Sequence, residues 1–159
     1  MQKQGKESPG RKEKSERTED HWEEEFGSDL DAVEAIEERA SALLAAIGFD
    51  GDTVERMKLA AREAAVNAMN HGNRDNRDKK IFFEFVFDKA SRTAIFRITD
   101  EGEGFKPEEV PDPLAEENIL NTSGRGLYLI KQSADSVDFD DGGRTIVFTK
   151  KLGGTHGEQ

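Results

Sequence analysis

Four polar side chains recur at helical spacing within an alanine-rich segment: Glu63, Asn67, Asn70 and His71. Glu63 and Asn67 are four residues apart, so in a helix they lie one turn apart on one face, which Asn70 and His71 continue. A carboxylate there could act as a general base, and an amide oxygen is a ligand that Mg²⁺ accepts. This polar stripe therefore predicts proton transfer beside a hard cation.

The alternative interpretation of the stripe is a solvated helix face, which explains most polar stripes in helices. Alanines on both sides of the stripe instead indicate a helix that is packed all round, at Ala60, Ala61, Ala64, Ala65 and Ala68. An exposed face would be expected to carry more lysine and glutamate. The alanines therefore favour a functional stripe.

A second candidate site begins at Asp100, which ends an apolar strand and precedes Gly102, Gly104 and Phe105. A carboxylate only accepts hydrogen bonds, so Asp100 suits an exocyclic amine such as that of adenine. The glycines would let the backbone lie close under the base and ribose, and Phe105 would cover the turn. The alternative is an aspartate that simply initiates a turn before glycine.

A second glycine pair, Gly124 and Gly126, flanks Arg125 and precedes Leu127 where a helix is predicted to start. Free N–H groups at a helix start, together with the arginine, can bind phosphate. The alternative is a glycine that caps the preceding loop. On the last predicted strand, Thr145 could reach the base through its hydroxyl or a water, although threonine is also a favoured strand residue.

Hydrophobic periodicity predicts the elements that must position these residues. One helix is expected from a cap at Ser28 or Asp29 to about Ile47, and a second from Asp52 to His71-Gly72. The other elements are short strands and one more helix, with strands at 22–26, 81–87, 94–99, 137–139 and 145–152 and a helix at 124–134. The predicted fold is α+β, a two-layer sandwich with three helices on one face of a mainly antiparallel, mixed sheet.

The parity of the predicted hairpin places Asp100 relative to the core. Asp100 continues the alternation of Ala94, Phe96 and Ile98, so its carboxylate should lie on the core face, beneath the helices. Residues 106–123 contain three prolines and little periodicity, which predicts a mobile connection that could act as a lid.

Composition divides the chain into three parts. The first 20 residues have no apolar side chain except Met1, so residues 1–21 are predicted to be a disordered tail, 22–152 the folded domain and 153–159 a flexible C-terminus. Those 20 residues hold six basic and five acidic side chains, which leaves 17 and 29 in the rest, a net charge of −12. So acidic a domain would repel a phosphate backbone, and no nucleic-acid partner is expected.

Several other classes of protein are disfavoured by the sequence. It has no run of 18 apolar residues and no secretion signal, so neither a membrane span nor export is expected. The absence of cysteine excludes thiolate metal sites and fits a cytoplasmic location. The three histidines are scattered, which makes a zinc site improbable.

Three segments in order resemble the N, G1 and G2 boxes of the GHKL ATPase/kinase superfamily. They are Glu63-Ala-Ala-Val-Asn67-Ala-Met-Asn-His71-Gly72, Asp100-x-Gly102-x-Gly104-Phe105 and Ser123-Gly124-Arg-Gly126-Leu127. Within that superfamily the chain most resembles the anti-sigma-factor serine kinases of bacterial partner switching, the RsbW-like proteins. The resemblance covers about residues 22–152.

This resemblance implies a Bergerat-type sandwich that binds Mg·ATP and passes the γ-phosphate to a serine or threonine of a small STAS-domain antagonist. On matching positions, Glu63 would be the base, Asn67 the magnesium ligand and Asp100 the adenine contact. The resemblance further implies a homodimer and, for many members, a bound sigma factor. Such proteins can carry an arginine just before the Ser-Gly of the third box, where this chain has Thr122, and Arg125 lies inside the box.

Other functions of the same pocket are distinguished by what they require. A sensor histidine kinase needs an upstream helical segment with a phosphoacceptor histidine, and the upstream histidine here, His21, borders the predicted tail. ATPases of the gyrase, repair and chaperone types need additional domains. A non-catalytic module that binds ATP and regulates by protein binding is the alternative function, against which Glu63 argues.

Overall fold

The computed structural model describes residues 19–104 and 122–153. Within these ranges it contains five strands and three α-helices: β1 (Glu19–Gly27), α1 (Leu30–Ile47), α2 (Gly51–Asn67), β2 (Lys80–Asp88), β3 (Thr93–Thr99), α3 (Thr122–Ser133), β4 (Ser136–Asp140) and β5 (Thr145–Lys151). The strands form one sheet in the order β1-β2-β3-β5-β4, with every pairing among them antiparallel. The predicted two-layer α+β fold is confirmed.

Alternation along β2 and β3 determines which face of the sheet the helices cover. Every second side chain of β2 is buried, namely Ile81, Phe83, Phe85 and Phe87. At the centre of the layer, Phe96 of β3 stacks on Phe148 of β5, with ring centroids 4.9 Å apart and ring planes 7° apart. Ile98 is also buried on this face, so the chain leaves β3 with Asp100 directed toward the helices, as predicted.

Short polar side chains start both N-terminal helices. Asp29 caps α1 by accepting a hydrogen bond from the Ala32 amide at 2.9 Å, which confirms the prediction. The cap of α2 is Asp50 rather than the predicted Asp52, because the Asp50 carboxylate accepts the Thr53 amide at 2.8 Å. That backbone hydrogen bond also holds the pKa of Asp50 below its ordinary value.

The end of α2 differs from the regular helix that was predicted to run to Gly72. The α-helix ends at Asn67 and continues as a π-helical turn over Ala68–Gly72, in which the Asn73 amide donates to the carbonyl of Ala68 at 2.8 Å. π-Helical turns of this kind are rare and frequently lie at functional sites. The wider turn contains Asn70 and His71, the last two residues of the polar stripe.

The first strand is longer than predicted. Its start at Glu19 brings Glu19, Asp20 and His21, which the composition had assigned to the tail, into register with Asp88, Phe87 and Val86. Backbone pairing with β2 orders these residues without apolar side chains.

Several predictions concern residues outside the described ranges: the tail over residues 1–18, Phe105, the connection up to Asn121 and the C-terminus from residue 154. None of the helices in the described ranges is both long enough and apolar enough to cross a membrane.

Candidate active site

A cavity of about 220 Å³ lies where α2 and its π-helical turn face α3 and the ends of β3 and β5. All three sequence motifs contribute to its wall, which among the described residues comprises Ala64, Asn67, Ala68, His71, Gly72, Arg74, Ile98, Asp100, Glu103, Gly104, Leu127, Phe139, Gly143, Arg144 and Ile146. Aliphatic and aromatic side chains form most of the interior. The polar and charged side chains in this wall are those of Asn67, His71, Arg74, Asp100, Glu103 and Arg144.

Asp100 provides a half-buried carboxylate in this wall. Its Oδ1 atom accepts a hydrogen bond from the Gly102 amide at 2.8 Å, and no described residue donates one to Oδ2. Burial raises the pKa of Asp100 above its ordinary value, and the Gly102 hydrogen bond opposes that rise. The carboxylate is therefore available to a hydrogen-bond donor that enters the cavity.

Glycines let the chain segments around Asp100 approach one another closely. A Cβ atom on Gly72 would collide with the Asp100 carboxylate, and one on Gly102 would collide with the carbonyl oxygen of Gly72. Gly104 has φ +79°, and a Cβ there would collide with the carbonyl oxygen of Gly142. Gly72 and Gly102 thus close the seam between the end of α2 and the loop after β3, and Gly104 brings that loop against the turn before β5.

Glu63 and Asn67 lie side by side on α2, both half-buried, where α3 crosses the helix. A Cβ added to Gly126 would be 3.1 Å from Glu63 Oε1 and 3.4 Å from Asn67 Nδ2. Glu63 and Asn67 therefore face another helix instead of bulk solvent, and Asn67 also lines the cavity. The other two members of the stripe, Asn70 and His71, are exposed, and His71 also lines the cavity.

The start of α3 differs from the prediction and changes the role of its glycines. The helix begins at Thr122, so Gly126 is its fifth residue and lies beyond the first turn, whereas Gly124 lies within it. Only first-turn amides lack a partner inside the helix. Gly126 thus packs closely against Glu63 and Asn67, whereas Gly124 lies in the first turn of the helix.

Arg125 and Thr145 are predicted site residues that lie away from the cavity, whereas Glu63, Gly102 and Gly126 lie beside it without being part of its described wall. Arg125 is exposed and does not contribute to the described wall. Thr145 pairs with Thr99, and the two hydroxyl oxygens are 2.7 Å apart. Because Ile146 and Ile98 face the cavity, their neighbours Thr145 and Thr99 face the opposite side of the sheet. Leu127 does line the cavity, and Phe105 lies outside the described residues.

Asn73 organises the seam and was missed by the sequence analysis. Its side chain is 1% exposed; Nδ2 donates to Ser28 Oγ at 3.1 Å and to the Lys80 carbonyl at 3.0 Å, and Oδ1 accepts the Glu101 amide at 2.8 Å. It thus ties together the turn before α1, the start of β2 and the loop after β3. Its setting in a wholly polar loop gave no sign of burial.

Arg144 was also missed by the sequence analysis. It lies one residue before β5, in the turn that follows β4, and lines the cavity. Its Nε donates to the Gly102 carbonyl at 2.9 Å and its Nη1 to the Asp141 carbonyl at 3.2 Å. The backbone amide of Asp100 donates to the Arg144 carbonyl at 3.0 Å. Arg144 thus supports the glycine loop from the turn before β5.

Comparison with known proteins agrees with this arrangement. The model of the histidine kinase-like ATPase domain family matches residues 26–150, which include the whole described cavity wall. The chain belongs to this family. Serine-protein kinase RsbW of Staphylococcus aureus strain JH9 is 30% identical, over 84% of this chain and 88% of the relative. The proteins of that name from strains Newman and USA300 show the same identity and coverage.

Membership in the histidine kinase-like ATPase family accounts for why three separate motifs meet. The half-buried carboxylate of Asp100 and the amide of Asn67 lie in one cavity wall together with aliphatic side chains such as Ile98. Glu63 lies beside this wall, next to Asn67 and against Gly126. A planar base beside a carboxylate acceptor, with a phosphate chain extending toward an amide and a second carboxylate, matches this order of groups.

Proposed function

We propose that this histidine kinase-like ATPase is an ATP-dependent protein serine/threonine kinase of a bacterial partner-switching system. The observation that carries the proposal is the placement of Glu63 and Asn67 against Gly126, beside the cavity that Asp100 lines. Similarity to proteins called serine-protein kinase RsbW supports it. The acceptor would be a serine or threonine of a STAS-domain antagonist.

In this proposal, Asp100 accepts a hydrogen bond from the amino group of adenine through the oxygen that the Gly102 amide leaves available. Side chains including Ile98, Leu127 and Ile146 pack against the base and exclude water. Because burial already raises the pKa of Asp100, a donor that pairs with its carboxylate offsets an existing desolvation cost. Binding is therefore favoured at this carboxylate.

Transfer of the phosphoryl group depends on the polar stripe. The amide oxygen of Asn67 would hold Mg²⁺, which when bound neutralises charge on the phosphates. Glu63 would accept the proton of the attacking hydroxyl. As the oxygen of that hydroxyl bonds to the γ-phosphorus, the bond between the γ-phosphorus and ADP breaks. In this proposal, the amide of Gly124, in the first turn of α3, donates to phosphate oxygens.

The proposed partners follow from the proposed reaction. Besides the STAS-domain antagonist, they include a sigma factor that the kinase holds in check and a second copy of the chain in a homodimer, all in the cytoplasm. Residues 21–159 carry a net charge of −12, which favours partners with basic surfaces over nucleic acid.

Replacing Glu63 with glutamine tests the reaction. The wild-type protein should transfer labelled phosphate from ATP to a STAS-domain protein, and Glu63→Gln should bind ATP with unchanged affinity but transfer phosphate roughly 100- to 10,000-fold more slowly. Glu55→Gln, an exposed glutamate on the same helix, is the matched control and should be fully active.

Normal transfer by Glu63→Gln would refute the assignment of the base. If the wild-type protein binds ATP and associates with a STAS-domain protein yet transfers phosphate to none, the kinase proposal fails and the non-catalytic regulatory module takes its place. Pull-down of sigma factors in parallel separates a general switch kinase from one that also sequesters a sigma factor.

A further inference from the structure

Arg74 lies at the mouth of the cavity, in the loop after the π-helical turn, and no motif assigned it a role. Its Nη2 atom is 3.7 Å from Oε1 of Glu103, which lies in the loop after β3 and is also part of the cavity wall. The ion pair therefore spans from one side of the Gly72–Gly102 seam to the other. Both side chains are largely exposed, at 75% and 83%.

The backbone holds Arg74 in a conformation that a residue with a Cβ rarely adopts. Arg74 has φ +53°, and Asp75 follows with φ +61°. The Asp75 amide donates to the Met69 carbonyl at 2.9 Å, the Asn76 amide donates to the Asn73 carbonyl at 2.9 Å, and the Asn73 side chain anchors the loop from below. An arginine is thus kept in a strained position where glycine or asparagine would be more stable.

The two arginines of the described wall differ in how their guanidinium groups are used. Arg144 donates hydrogen bonds to the carbonyls of Gly102 and Asp141, so it supports the wall itself. Among the described residues, Arg74 contacts only the exposed carboxylate of Glu103. An exposed ion pair adds little stability. The guanidinium of Arg74 can therefore turn to a ligand without loss of structure.

The position of Arg74 indicates which part of a ligand it would meet. Gly72, two residues earlier, packs directly on the Asp100 carboxylate, and Glu103 and Gly104 follow Asp100 by three and four residues. Glu63, Asn67 and Gly126 form a separate group where α2 and α3 cross. Arg74 thus belongs to the Asp100 end of the cavity.

We infer that Arg74 is a nucleotide-binding residue whose planar guanidinium covers the outer face of the purine base, oriented by Glu103. The inference rests on the proposed function, in which Asp100 holds the base. Apolar side chains including Ile98 and Ile146 then pack on the inner side of the base, and the guanidinium stacks on the side that would otherwise face water. Such stacking is compatible with the acidic composition of the domain, because the guanidinium contacts the base and does not depend on a further cation at the phosphates.

Calorimetric titration of ATP, ADP and AMP into wild-type protein and Arg74→Ala tests the inference. Stacking on the base predicts that Arg74→Ala weakens all three nucleotides by the same factor, roughly two- to thirty-fold. Arg74→Lys should also bind less tightly than wild type, because an ammonium group has no plane to stack. Arg77→Ala removes an exposed arginine of the same loop and should leave all three affinities unchanged.

Arg74→Gly separates ligand binding from a structural role. Glycine relieves the strain at φ +53°, so this variant should melt at or above the wild-type temperature while it binds nucleotide as weakly as Arg74→Ala. A loss of affinity that shrinks from ATP to AMP would indicate a phosphate contact and overturn the inference. If Arg74→Ala binds nucleotide with wild-type affinity, the inference about Arg74 is wrong and the proposed function still stands. If the wild-type protein does not bind ATP, both the inference and the proposed function are wrong.

Discussion

The Asp100 carboxylate lowers the stability of the fold through its desolvation, and its proposed role is to bind ATP. Its carboxylate is half-buried, its pKa is raised by burial, and one backbone amide, that of Gly102, partly offsets the desolvation. A neutral side chain of the same shape would satisfy the fold better, so stability does not explain the charge, whereas the proposed recognition of a hydrogen-bond donor does. Strain or desolvation kept at such a position is typical of functional sites.

Asp100→Asn should therefore separate binding from stability. Asparagine can still accept the Gly102 amide, but its amide group presents a donor as well as an acceptor to the amino group of adenine. We expect ATP affinity to fall at least ten-fold, by calorimetry at pH 7, while the melting temperature stays the same or rises. An ATP affinity equal to that of the wild type would show that Asp100 does not contact the base.

The difference in unfolding free energy between the wild-type protein and Asp100→Asn should change with pH in one direction only. Because the pKa of Asp100 is raised in the folded state, its favourable contribution is fully present below the ordinary aspartate pKa and is lost as the pH rises through the raised value. The unfolding free energy of the wild type minus that of Asp100→Asn should therefore decrease with rising pH and become constant above the raised pKa. Denaturant titrations at several pH values measure this difference, and an increase with pH would contradict the assignment.

The crossing of α2 and α3 explains why the alanines and Gly126 occur together. Ala60, Ala61, Ala64 and Ala65 are buried along α2, and small side chains let helices approach closely. At the crossing, Gly126 contributes no side chain, which leaves space for the Glu63 carboxylate and the Asn67 amide. The contact between helices thus sets the position of both groups.

Gly126→Ala should lower catalysis without loss of stability. Alanine within a helix is favoured over glycine by about 1 kcal/mol, but its Cβ would be 3.1 Å from Glu63 Oε1 and the carboxylate would have to shift by a few tenths of an ångström. We expect phosphotransfer to fall roughly ten-fold, with an unchanged or higher melting temperature.

Gly51→Ala is the matched control for this variant. It makes the same change at the first residue of α2, where an added Cβ meets nothing within 4 Å, and it should retain full activity. Equal activity of the two variants would mean that the packing of Gly126 does not position Glu63.

Across the molecule, the buried amide of Asn73 is one of the groups that connect the elements at the site. The phenylalanine layer around Phe96 lies in the core, and the loop after β3 is joined to the turn before α1 and the start of β2 through Asn73, which binds Ser28, Lys80 and Glu101. Arg144 joins the same loop from the other side. The seam against Asp100 therefore depends on a residue that lies outside all three motifs.

Asn73→Ala should destabilise the whole domain. It leaves the Glu101 amide and the Lys80 carbonyl without their side-chain partners, and each buried group so deprived costs about 1–3 kcal/mol. A fall of that order in unfolding free energy, measured by urea denaturation, should accompany weaker ATP binding. Asn76→Ala removes an exposed side chain of the same loop, which accepts the Asp78 amide, and should have a much smaller effect. Equal effects would show that Asn73 has no special role.

The amino-acid sequence by itself determined the sandwich of helices and strands, because period-2 and period-3.6 patterns report directly which side chains face a core. The same parity placed Asp100 beneath the helices, and the alanines identified Glu63 and Asn67 as packed rather than exposed. These inferences need only neighbours along one strand or helix.

Only the tertiary structure decided which segments that are distant in sequence contact one another. Gly72, Gly102 and Gly126 proved to be points of close contact between segments, Thr145 lies on the far side of the sheet from the cavity, and Asn73 is buried in a loop of polar residues. Each depends on a partner far away along the chain, and no local pattern records such a partner. The physical reason is that burial and steric fit are properties of two surfaces in contact, whereas periodicity is a property of one.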